Sequence, residues 1–154
     1  MIEKWTRPSN ESLAEFLFEW TSNDESWLIE EFGHIPPIEE MLSYLQTYEG
    51  MGCIFRLWLK DDNPVAFTAV LPKAPSNQKS WLGTIVVNPV FRERGIGKSV
   101  IDEIMADKAN VVFAGVPYEQ NEWSLFLGKC GFEQYGVEGE KKQYLVLVHP
   151  NEKE

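Results

Sequence analysis

Apolar positions recur first at helical intervals. Residues 4–6 read as a short strand that Arg7-Pro8 stops, and Ser9 or Ser12 can cap the helix that follows. Leu13, Phe16, Leu17 and Trp20 then fall at i, i+3, i+4 and i+7, a single apolar stripe. Residues 23–37 keep no such period, although they include Trp27, Phe32, Gly33 and His34. Pro37 suits the first turn of a second helix, in which Ile38, Met41, Leu42, Leu45 and Tyr48 share a face and which Gly50 can end.

From residue 53 onward the pattern is that of strands. Residues 53–60 and 65–71 flank Asp61-Asp62-Asn63-Pro64 and read as a hairpin. A polar loop covers 72–79, and a third strand covers 81–87 and ends at Asn88-Pro89. A helix from about Gly97 turns Val100, Ile101, Ile104 and Met105 inward, and 111–114 is a short buried strand. Trp123, Phe126, Leu127 and Cys130 repeat the helical stripe, with Gly131 just past its end; 144–148 is the last strand, and one more fits near 132–137. The strand–helix–strand unit of 81–114 predicts two parallel neighbours, the other pairs being antiparallel. The expected fold is an α/β (α+β) single domain over residues 1–154. Its sheet is mixed and mostly antiparallel, with a central parallel pair and flanking helices.

Composition narrows the function. With 154 residues, 44% hydrophobic and 13% aromatic, the chain can bury one substantial core. No apolar run approaches the roughly 18–20 residues of a membrane span. Met1 to Trp5 lead into no signal-type apolar stretch, so a cytoplasmic protein without membrane partners is expected. Cys53 and Cys130 have no metal-ligand spacing; they read as two buried thiols in a reducing compartment, and no metal is expected. Fourteen Lys and Arg against 24 Asp and Glu give a net charge of −10. That balance disfavours nucleic acid as a partner and is compatible with a cationic small substrate.

Against this acidity, Arg92, Arg94 and Lys98 cluster with Gly95 and Gly97. The segment from Val87 to Ser99 joins a buried strand to a helix start, where free amides and the dipole face outward and glycines allow close approach: an anion cradle. It lacks P-loop spacing, and Val100 fills the third position of a dinucleotide-type GxGxxG. On spacing alone, a glycine-softened helix start with solvated basic residues explains it as well.

Arg92-x-x-Gly95-x-Gly97, preceded by Val87-x-Pro89, resembles the acyl-CoA signature of the GNAT superfamily of N-acetyltransferases. The run from Phe126 to Phe132, with Lys129-Cys130-Gly131-Phe132 at its end, is similar to that superfamily's K-x-G-F helix terminus. The resemblance implies a splayed central strand pair, with residues 81–87 offering backbone groups to the pantetheine arm of the cosubstrate acetyl-CoA. The amides of Arg94, Gly95, Ile96, Gly97, Lys98 and Ser99 would hold the pyrophosphate, beside the charge of Arg92, and Asn121 is a further cofactor-binding candidate. A backbone N–H of Val86 or Val87 would polarise the thioester carbonyl. The acceptor would be a primary amine of a small molecule or peptide, and a homodimer is compatible with the resemblance.

Two departures stand out. The position four residues before the Gly-Phe pair, where many relatives carry an acidic Tyr, holds Leu127, and residues 80–88 contain no carboxylate. Tyr118, Glu119, Asn121, Ser124 and His34 are the substitute candidates for proton transfer. Trp27, Phe32 and the Glu30-Glu31 pair lie where relatives shape an acceptor pocket; otherwise the two aromatics are core and the carboxylates a solvated face. The missing Tyr leaves a second reading, a non-catalytic acyl-CoA-binding module, and a third is a plain interaction domain.

Overall fold

The computed structural model describes residues 4–75, 78–106, 112–117, 121–138 and 144–149. Strand β1 (Lys4–Thr6) is followed by helices α1 (Asn10–Trp20), α2 (Ser26–Phe32) and α3 (Ile38–Gly50). Strands β2 (Ile54–Lys60), β3 (Asn63–Leu71) and β4 (Ser80–Val87) lead to α4 (Ile96–Ala106), β5 (Val112–Pro117), α5 (Asn121–Lys129), β6 (Glu133–Glu138) and β7 (Tyr144–His149). They form one seven-stranded sheet in the order β1-β2-β3-β4-β5-β7-β6. Only β4 and β5 run parallel among these pairs, joined through α4 as the strand–helix–strand unit requires.

Local chemistry explains most boundaries. The Ser9 hydroxyl accepts from the Ser12 N–H at 3.2 Å and caps α1, whose Leu13, Leu17 and Trp20 are buried. Pro37 stands at the N-cap of α3, where its missing N–H costs no hydrogen bond. Asp61 and Asp62 take the left-handed conformations of the hairpin turn. Gly131, at φ +102°, closes α5, and the Phe132 N–H donates to the Leu127 carbonyl at 3.0 Å.

The structure departs from the sequence expectation at several places. Residues 23–37 are not irregular throughout, because α2 forms inside them. It has seven residues and one buried side chain, Leu28, so it is too short to show a period; Gly33 at φ +78° ends it. Strand β5 runs on to Pro117 because β7 pairs with its whole length. The optional strand near 132–137 exists as β6. Ile38 is exposed rather than inward, and Cys53 is half-buried while Cys130 is buried.

The core has two halves, one on each face of the sheet. Helices α1 and α3 cover Phe55, Leu57, Phe67 and Val86. Helices α4 and α5 cover Trp58, Val65, Ile85 and Leu147. Ala66 to Val70 of β3 are all buried, as expected of a central strand covered on both faces. Inside this apolar layer the Trp58 indole N–H donates to the Thr68 hydroxyl at 2.8 Å across the β2–β3 pair. Thr68→Val keeps the volume but leaves that buried donor without an acceptor. It is expected to cost about 1–3 kcal/mol, measured as a lower midpoint in urea unfolding at unchanged slope.

Candidate active site

Strand β4 is bonded unequally on its two edges. On one side it pairs with β3 from Trp81 to Val87. On the other it meets β5 only through Ser80–Val112, Trp81–Phe113 and Leu82–Ala114, with the Trp81 and Phe113 rings stacked at 5.2 Å. Beyond these three pairs the strands diverge. The β3 register steps from Val70–Leu82 to Ala69–Thr84, which leaves Gly83 as the extra residue of a bulge at the point of divergence. A Cβ at Gly83 would stand 3.4 Å from the Ala69 carbonyl.

The ladder sets which amides face the gap. The Asn88 N–H donates to the Val65 carbonyl at 2.9 Å. Alternate residues bond across an antiparallel pair, so Val86 and Thr84 also face β3. The backbone groups of Ile85 and Val87 point to the opposite edge, into the gap. The Val87 carbonyl there accepts from Arg92 Nε at 3.3 Å. Of the two amides expected to polarise a thioester, Val86 is thus committed to the sheet and Val87 is available. Ile85 joins it; only the register of the ladder reveals that.

Past β4, a single 3-10 turn (Pro89–Phe91) and the left-handed Glu93 and Gly95 lead into α4. The Gly95 carbonyl accepts the first helical bond, from the Ser99 N–H at 3.0 Å. The amides of Ile96, Gly97 and Lys98 therefore lie ahead of the first intrahelical donor and point out of the helix start. Ser99 is one residue further on, and its amide is already used. A cleft of about 600 Å³ opens over this cradle. It runs from Ile85, Val86 and Val87 to the α4 start and is closed on one side by Thr21, Asp24, Ser26 and Trp27, on the other by Phe126 and Lys129. Two Ser26 hydrogen bonds hold the Asp24 carboxyl below its ordinary value, with a smaller pull from Arg92 across the cleft.

The basic side chains divide. Arg92 lines the cleft, while Arg94 is exposed, lies over the ring of the cleft residue Phe91 at 5.8 Å and does not itself line the cleft. Lys98 reaches the cleft but pairs with Asp102 at 3.0 Å, one turn along α4. Lys129 at the end of α5 faces the same cleft. It lies inside the second motif, yet its convergence on the cradle depends on how α5 packs.

A second cavity of about 480 Å³ lies at the other end of β4, bounded by Leu82, Gly83 and Thr84 and by Tyr44, Tyr48 and Glu31. The Tyr44 hydroxyl donates to Glu31 Oε2 at 3.1 Å. Desolvation by the cavity walls pushes the Glu31 carboxyl up, partly offset by that hydrogen bond; burial, then the Glu31 charge, raises Tyr44 strongly. Phe32 packs on Tyr44 at 4.8 Å and Trp27 meets it edge-on at 6.2 Å, so the aromatics of α2 brace this tyrosine. Glu31 thus lines the cavity on one side while the residue stays exposed to solvent on the other.

The acetyltransferase (GNAT) family model matches residues 10–132. The chain belongs to this family. Uncharacterized protein YkzC of Bacillus subtilis (strain 168) is 40% identical over 129 residues, spanning 80% of this chain and 88% of its own. An acetyltransferase from Thermus thermophilus shares the fold with a TM-score of 0.78 and 19% identity over 96% of each chain. The aminoglycoside acetyltransferase AAC(6')-Ib, in complex with coenzyme A, shares it with a TM-score of 0.72 and 13% identity, over 96% of this chain and 95% of that one.

The remaining candidates of this GNAT chain are placed as follows. His34 pairs with Glu40 at 2.7 Å on the surface between α2 and α3 and is not part of either cleft wall. Tyr118 and Glu119 lie outside the described residues; Asn121 and Ser124 are on α5, with both side chains outside the description. Leu127 is buried among α4 and sheet residues. No helix among the described residues is long and apolar enough to cross a membrane.

The two cradle glycines serve different physical needs. Gly95, at φ +77°, has nothing within 4 Å of an added Cβ, so only its backbone conformation demands glycine. At the buried Gly97 a Cβ would stand 2.6 Å from Phe126 Cζ, so this glycine lets α4 and the Phe126 ring approach. Gly97→Ala is expected to cost about 1–3 kcal/mol by overpacking, much of it relieved by Phe126→Leu. Gly95→Ala is expected to cost about 1–2 kcal/mol with no such relief. Double-mutant cycles by denaturant unfolding check both; additivity at the Gly97–Phe126 pair would refute the packing role.

Proposed function

We propose that the chain transfers an acetyl group from acetyl-CoA to a primary amine of a small molecule or peptide. The observation that carries this reading is the unpaired edge of β4. It presents Ile85 and Val87 backbone groups beside a helix start whose first three amides point outward. A pyrophosphate at Ile96, Gly97 and Lys98, flanked by Arg92 and Lys129, matches donors to an anion. An extended amide-bearing arm on the β4 edge satisfies backbone groups that would otherwise face a gap. It runs from the cradle toward the bulge at Gly83, where the second cavity begins. Alignment of amine and thioester there, with a fixed amide at the carbonyl oxygen, supplies the main catalytic terms. The structures of AAC(6')-Ib with coenzyme A and of a spermidine N-acetyltransferase chimera from Vibrio cholerae and hSSAT support donor and acceptor class by likeness of fold.

Leu127, buried in the core and unable to donate a proton, favours the alternative of an acyl-CoA-binding module without turnover. Calorimetry with CoA and thiol release from acetyl-CoA over an amine panel separate the two. Binding is expected to be saturable, to raise the melting temperature by mass action and to weaken with salt. Arg92→Ala and Lys129→Ala are each expected to lower CoA affinity about three- to tenfold, as loss of a partly exposed charge-assisted contact does. Indifference to millimolar CoA would refute the donor site; CoA binding with silence toward every amine would establish the binding module.

A further inference from the structure

We propose that the cavity between α2, α3 and the start of β4 takes a monoamine with an apolar, aromatic-sized body, and that Glu31 holds its ammonium and accepts its proton. The inference rests on the acetyl-transfer reading and deepens it. The size fits a small organic ligand: about 480 Å³. Among the described residues that line the cavity, Glu31 is the one carboxylate, and none is Lys, Arg or His. A lone ammonium meets one counter-charge there. Phe55, Phe67, Leu71 and Trp81 make up much of the remaining wall. These surfaces suit a hydrocarbon or aromatic body, and Tyr44 and Tyr48, packed on each other at 4.7 Å, add aromatic wall. A polyamine or aminoglycoside would instead bury a second ammonium or several hydroxyls against Phe55 and Phe67 without partners, at a cost in affinity.

Position and chemistry agree. Tyr44 donates to Glu31 Oε2, which fixes the carboxylate and leaves Oε1 to receive the ammonium. The same cavity includes Gly83 and Thr84, at the divergence of β4 from β5, so an amine held at Glu31 lies toward the thioester on the β4 edge. The ammonium gives one proton to the Glu31 carboxylate, and the freed nitrogen lone pair forms the C–N bond to the acetyl carbon. The C–S bond then breaks with its electron pair on sulfur, and the nitrogen's surplus proton goes to the thiolate. The products are the N-acetyl amine and CoA thiol; Glu31 returns its proton to water. Desolvation on the cavity side moves the carboxyl upward, the direction a base needs, although its exposed side screens the effect. Tyr44 from α3 hydrogen-bonds it, and the other polar side chains lining the cavity are Tyr48, Cys53 and Thr84, none of them cationic.

The test is an acceptor panel at saturating acetyl-CoA, comparing 2-phenylethylamine and tryptamine with spermidine and kanamycin. The aryl monoamines are expected to show kcat/KM at least about tenfold higher, the scale of a desolvated specificity contact. Glu31→Gln is expected to lower their kcat/KM about a hundredfold and to remove the rising limb of the pH profile, with CoA affinity unchanged. Glu31→Asp should recover part of the rate. Preference for the polycations, or aryl-amine turnover unchanged in Glu31→Gln, overturns the proposal. If no amine is acetylated, the transfer reading fails by itself. Calorimetry of 2-phenylethylamine without donor then decides the pocket: binding weakened about tenfold or more by Glu31→Gln supports it, and equal or absent binding refutes it.

Discussion

Strand β4 has a full ladder with β3 and only three pairs with β5, and much of the molecule follows from that inequality. A central strand with both edges paired would be inert core. Here the bulge at Gly83 and the divergence beyond Leu82 leave backbone donors and acceptors facing a gap inside a sheet that helices cover on both faces. Unmade backbone bonds in such a place are costly, and an extended ligand with its own amides is the natural complement. The rest of β4 must be held rigidly for this edge to stay open. Asn88 does so at one end: its N–H bonds the Val65 carbonyl, its amide nitrogen bonds the Pro64 carbonyl at 3.0 Å, and its side-chain oxygen accepts from the Val90 N–H at 3.1 Å.

The helix start depends on the same strand end. Its turn delivers Ile96, Gly97 and Lys98 to the mouth of the gap, so an anion bound there lies in line with the β4 edge. Charge adds less than a count of basic residues suggests. Lys98 shares its charge with Asp102, Arg94 stacks on Phe91 in solvent, and Asp24 and Glu93 lie among the cleft residues. The proposed anion site rests on the fixed amides and Arg92, with Lys129 from α5. The surface of this acidic protein is otherwise unfavourable to phosphates.

The proposed proton chemistry does not involve Leu127 of α5. Leu127 is part of the core against α4, so that helix contributes packing at the position where the family resemblance would put a tyrosine. At the cavity beside the β4 bulge, α2 and α3 supply Glu31, Tyr48, and Tyr44 braced by Trp27 and Phe32. The two clefts lie along one strand. The β4 bulge belongs to one and the Ile85 to Val87 stretch to the other.

The sequence by itself determined the helices with long stripes, the hairpin, the strand–helix–strand unit and the glycine cradle. These are local or periodic properties, written in side-chain spacing, turn residues and the conformational demand of Gly95. Family membership was legible for the same reason, since both motifs are short contiguous runs. Helix α2 was not legible, because seven residues with one buried side chain carry no period. Tertiary structure alone decided the rest. The availability of Val87 and Ile85 but not Val86 depends on ladder register with β3. The need for glycine at 97 depends on Phe126, far along the chain. The placing of Glu31 at a cavity wall and His34 at the surface depends on how α2 packs on α3. Each of these is a relation between residues distant in sequence, and spacing along one segment cannot encode it.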